Sequence, residues 1–76
     1  MSKVLVKYVD GDSSSDTDYI KALYTTTPFE LLRVAKQVDY IDIEGECYQY
    51  ESSKYQAPIN TDCLDVLIIY VDPVFN

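Results

Sequence analysis

The sequence predicts an α+β domain in which one helix lies on an antiparallel sheet, in the order β-β-α-β-β-β. Three observations lead there. Short runs rich in β-branched and aromatic residues recur along the chain. A single stretch behind Pro28 carries apolar residues at helical spacing. The 76 residues are enough for one domain and too few for two.

Residues 3–9, Lys-Val-Leu-Val-Lys-Tyr-Val, read as the first strand, with Val4, Val6 and Tyr8 on one face and Leu5, Lys7 and Val9 on the other. Asp10 to Asp18 contains no apolar residue and reads as a loop. Tyr19 to Thr25 reads as a second strand returning on the first, with a short helix as the competing assignment. Thr27-Pro28-Phe29-Glu30 has the form of a helix start: Thr27 as N-cap, proline in the first turn, and Glu30 completing a capping box. Leu31, Leu32, Ala35 and Val38 then keep helical spacing, so the helix is expected from Pro28 to about Val38. Tyr40-Ile41-Asp42-Ile43-Glu44 alternates as a strand, Gly45 turns the chain, and Cys47 to Glu51 returns. Ser52 to Asp62 reads as an irregular connection. The most apolar run, Leu64 to Val71, reads as a central strand ended by Asp72-Pro73, and it is expected beside the equally apolar first strand.

Composition excludes several functions. Six Lys and Arg stand against thirteen Asp and Glu, a net charge of −7. A direct nucleic-acid binder needs a cationic face to displace counterions, which six scattered cations do not supply. With no histidine in the chain, a histidine-based active site or zinc site is impossible. No apolar run approaches the roughly 20 residues of a membrane helix. The opening residues lack the pattern of a secretory signal, and two cysteines, Cys47 and Cys63, are fewer than small secreted domains usually carry. The expectation is a cytoplasmic protein with two free thiols, each a small semi-buried residue.

Enzymatic chemistry is not expected. The serines lack a histidine or lysine base, the two glycines make no phosphate loop, and the acids occupy loops and alternating strand positions. Asp10, Asp12, Ser14, Asp16 and Asp18 alternate like the ligands of a calcium loop. Ser15 and Lys21, however, stand where an EF-hand needs glycine and glutamate. A solvated loop is the expected reading and no cofactor is called for; calcium or small-ligand binding is an alternative.

Two surfaces point instead to binding. One helix of about eleven residues is roughly 16 Å long and covers one face of a five-stranded sheet at best. The last strand is apolar on both faces, so Leu67, Ile69 and Val71 are expected to mediate self-association, as a homodimer. The competing reading folds residues 52–62 with Val74 and Phe75 across that face. The second surface is an acidic hairpin bearing tyrosines: Tyr40, Asp42, Glu44, Tyr48, Tyr50 and Glu51. Tyrosine gives large contact area at low entropy cost, and carboxylates can stand where phosphates would lie in a basic groove. The partner expected there is a protein, a basic nucleic-acid-binding one being the sharpest form of the reading. Cross-strand packing of the tyrosines and a solubilising role for the charge are the plainer alternatives.

The first strand Lys3 to Tyr8 with its Asp-Gly turn, the run Thr27 to Ala35 and the hairpin Asp39 to Tyr48 together resemble the small orphan proteins encoded by bacteriophages and mobile elements of Gram-positive bacteria. The resemblance implies a host-cytoplasmic accessory protein, a group that includes inhibitors of host defence and host enzymes, and it assigns no functional residue. The function expected is therefore non-enzymatic protein binding as an inhibitor or accessory factor, with a self-associating assembly module as the alternative.

Overall fold

The computed structural model describes residues 3–11, 19–58 and 65–74. It is a mixed α+β structure: strands β1 (Val4–Asp10) and β2 (Lys21–Thr25), helix α1 (Pro28–Gln37), then β3 (Ile41–Ile43), β4 (Glu46–Gln56) and β5 (Val66–Pro73). The five strands form one sheet in the order β2-β1-β5-β4-β3. The first and last strands are neighbours, but they run parallel, with Leu5 opposite Val66 and Tyr8 opposite Ile69. The sheet is therefore mixed, and the expectation of a wholly antiparallel sheet fails at this seam. The cause is topological. β1–β2, β3–β4 and β4–β5 are each antiparallel. The helix carries the chain from the β2 edge to the opposite β3 edge, and the strands that return from there bring β5 back in the direction of β1.

The curl of the sheet follows from what must fit. Four strand spacings make the sheet about 19 Å wide when flat, whereas a ten-residue helix is about 15 Å long. A curled sheet lets the helix lie across most of the concave face. Its two edges approach each other closely enough for Lys21 Nζ, at the start of β2, to reach Glu44 Oε1 of the β3–β4 turn at 3.1 Å.

The helix-side core is built from Val6, Leu67, Ile69, Val71, Ile43 and Ala35, with Val4, Tyr8, Leu23, Leu31, Leu32, Ile41, Tyr48 and Tyr50 packed around it. Val9 and Ile68 lie on the other face of the sheet and are also buried. The register places Ile68 between Lys7 of β1 and Lys54 of β4. Aliphatic lysine stems commonly cover apolar neighbours in this way.

Several local expectations change. Thr27 makes no side-chain cap bond. Its backbone N–H donates to Thr25 Oγ1 at 3.0 Å, and Glu30 accepts from Arg33 Nη2 at 2.7 Å, so both capping-box partners are engaged elsewhere. Residues Ser52 to Gln56 continue β4 instead of forming an irregular connection. Glu51 is an extra residue there: Tyr50 opposes Val71 and Ser52 opposes Tyr70, a β-bulge that bends the strand. Residues 59–64, the rest of that expected connection, lie outside the described residues.

Candidate functional site

Helix α1 carries more apolar surface than the core uses. Leu31, Val34, Ala35 and Val38 recur at i, i+3, i+4 and i+7 and form one stripe. Ala35 is buried and Leu31 half-buried, whereas Val34 is 50% exposed and Val38, the C-cap residue, 42%. Branching at Cβ lowers helix propensity by roughly 0.5 kcal/mol relative to alanine, so exposed Val34 contributes little to the helix itself. Across from the stripe stand Tyr40, 56% exposed, and Ile41 and Asp42 of β3; Tyr8 of β1 adds a further wall. Together they enclose an open groove of about 270 Å³. Only the curl brings Tyr8 and Tyr40 to one groove, since β1 and β3 are separated in the sheet by β5 and β4. Burial raises the Tyr8 hydroxyl above the ordinary tyrosine pKa.

One carboxylate, the exposed Asp42, lines this groove. Asp39 and Glu44, close to it in the chain, are also exposed. Asp42 Oδ1 accepts the Gly45 N–H at 3.1 Å, which ties the carboxylate to the turn. Glu44 holds Lys21. Arg33 is engaged by Glu30.

The six residues of the expected acidic–tyrosine surface do not stay together. Tyr40 and Asp42 line the groove, and Glu44 is exposed on the β3–β4 turn. Tyr48 and Tyr50 turn toward the core instead, and the Tyr50 hydroxyl donates to Ser53 Oγ at 3.3 Å. Glu51 projects from the bulge against Gly11, where a β-carbon would lie within 1.8 Å of Glu51 Oε2. The expected association surface also changes. Leu67, Ile69 and Val71 face the helix and are buried in the chain's own core, which removes them from any contact with a second copy. The apolar character that suggested an open face comes from a strand buried on both sides.

No protein-family model, curated protein or solved structure matches the chain. The site is therefore read from its geometry. Among the described residues no group of three or more Cys, Asp or Glu is placed to hold a metal ion. Asp12, Ser14, Asp16 and Asp18 of the calcium-like loop lie outside the described residues, as does Cys63. Cys47 is a free thiol and is exposed, not semi-buried as expected. No described helix is long and apolar enough to cross a membrane.

Of the groove's lining, the expected contact surface holds Tyr40 and Asp42, whereas Leu31, Ala35, Val38, Ile41 and Tyr8 are expected only as helix and strand residues and Val34 in no role. Val34 was detectable: it completes an i, i+3, i+4, i+7 set with Leu31, Ala35 and Val38, and with Leu32 added the stripe is wider than one buried face requires. Tyr8 had no such signal, because its meeting with β3 depends on the curl.

Proposed function

We infer that this chain is a non-enzymatic protein-binding domain whose contact site is the groove between α1 and β3. The observation that carries the reading is the exposed apolar set Val34, Val38 and Tyr40 around an open groove that Asp42 also lines. Its volume falls below the roughly 300–1,000 Å³ of pockets that enclose drug-sized molecules, so it suits a few side chains presented by another protein. Asp39, Asp42 and Glu44, in a chain of net charge −7, favour a partner with Lys or Arg beside its apolar residues. An inhibitor or accessory factor acting on a basic host protein is the biological form that the resemblance to phage-encoded orphan proteins supports.

The test is retention of a basic protein by the immobilised chain, compared between the parent chain and two variants. Val38→Glu is expected to abolish retention, because it places a charge in the groove at an exposed position. Glu51→Lys, at the bulge, is expected to leave retention within about twofold. Equal retention by both variants would sink the groove as the contact site. Raising salt from about 0.1 to 0.5 M is expected to weaken the complex by screening its exposed charges.

A further inference from the structure

We propose that the partner enters as an extended segment that adds a sixth strand to β3, its apolar side chains entering the groove and its basic side chains alternating on the opposite face. The proposal rests on the groove reading and specifies its occupant. It starts from the phase of the β3 backbone. Ile43 and Glu46 flank a two-residue turn and are paired, so they form a hydrogen-bonded pair. Asp42 and Cys47 come next and form a non-bonded pair, after which Ile41 and Tyr48 bond again. The N–H and C=O groups of Asp42 therefore point away from β4. β3 is an edge strand, with β4 as its one neighbour in the sheet.

Asp42, whose backbone faces outward, also lines the groove, beside Tyr40 and Ile41. This coincidence is what favours a strand over a helix as the occupant. An added strand would alternate its side chains as β3 does. One set would lie on the side of Ile41 and Ile43, against Val34, Val38 and Tyr8. The other would lie on the side of Asp42, where positive charge is favoured. The recognised chemistry is thus a short extended segment alternating apolar residues with Lys or Arg. Natural edges discourage indiscriminate pairing by being short, by charge, by proline or by a bulge, and β3 uses the first two, with three residues and Asp42 among them. The charge at Asp42 selects for a segment that brings Lys or Arg, and the bulge at Glu51 lies well away on β4.

The experiment uses the whole chain, labelled with ¹⁵N, and three capped hexapeptides that alternate valine and lysine. One has an ordinary backbone, one is N-methylated at every valine amide, and one at every lysine amide. In an extended segment alternate residues direct both backbone groups to the same side, so only one methylated set can face β3. Binding of the ordinary peptide is expected to shift the amide signals of Tyr40 to Glu44. One methylated isomer is expected to bind at least tenfold more weakly while the other binds within about threefold. Equal behaviour of the two isomers, whether both bind or both fail, overturns strand addition and leaves the groove reading standing. Absence of binding by the ordinary peptide at about 1 mM overturns both.

Discussion

At the scale of the residue, the β3–β4 turn shows how one local conformation constrains a candidate site. Glu44 (φ 52°) and Gly45 (φ 87°) both adopt left-handed backbone, the requirement of the tight two-residue hairpin turn. A β-carbon on Gly45 would meet nothing, so Gly45→Ala is opposed by backbone strain alone. It is expected to cost about 1 kcal/mol, or roughly 4–8 °C in Tm for a domain of this size. Asp42→Ala removes the acceptor for the Gly45 N–H and is expected to cost about 0.5–1.5 kcal/mol, while Asp42→Asn keeps an acceptor and stays within about 0.5. Thermal unfolding of the three variants checks both statements. If Asp42→Ala proves neutral, the carboxylate does not hold the turn and its role is confined to the groove.

Tyr8 gives a dependence on pH. Burial holds its proton more tightly in the folded chain than in the unfolded one. A raised folded pKa means that the contribution to stability is complete below the ordinary tyrosine value near 10 and is lost as pH rises through the folded value. Tyr55 acts in the same direction, chiefly through the hydrogen bond its hydroxyl donates to Asp65 Oδ2. Urea midpoints at about pH 8 and 11 are therefore expected to differ less in Tyr8→Phe than in the parent chain. An unchanged alkaline loss in that variant would show that the Tyr8 hydroxyl is not what titrates.

At the scale of the element, β5 and β4 show what was legible in the sequence and what was not. The unbroken apolar run of β5 announced a central strand beside β1, and both statements hold. Which of its faces met the helix was not legible, because Leu67, Ile69 and Val71 are chemically indistinguishable from Val66 and Ile68. Buried volume now separates them. Ile69→Ala is expected to cost about 2–5 kcal/mol, against the roughly 3–5 kcal/mol that a core this small supplies. Most of the stability should then be lost, and unfolded chain becomes populated at 25 °C. Ile68→Ala, flanked by flexible lysine stems, is expected near the low end of that range, and chemical denaturation of the two variants gives the ranking. In β4 the obstacle was the bulge. Tyr48 and Tyr50 occupy even positions and Tyr55 an odd one, so alternation breaks at Glu51 and the polar run Ser52 to Gln56 looks like a loop. The helix was read correctly because periodicity and Pro28 agreed, whereas its cap was not: Thr25, just upstream, competes for the Thr27 N–H.

At the scale of the whole molecule, the groove exists because the sheet curls. Its walls come from β1, α1 and β3, which no spacing in the sequence connects, and this is why Tyr40 and Asp42 were found without Tyr8. The Lys21–Glu44 pair marks where the two edges approach. It is exposed at both ends, and such pairs contribute about 0–1 kcal/mol, so the curl depends on the core and the bulge rather than on this link.

The parallel seam between β1 and β5 also sets an order of events in time. Leu5 and Val66 meet although they lie roughly sixty positions apart, and pairings between such distant segments slow folding toward milliseconds to seconds. As the chain leaves the ribosome, the β1–β2 and β3–β4 hairpins can form early, but each exposes an apolar face with nothing to join it to the other. β5 emerges last and is the strand that links them. Until it does, Val6 and Ile43 belong to two separate and marginal pieces, and the nascent chain remains open to proteolysis and to chaperones until its final strand is in place.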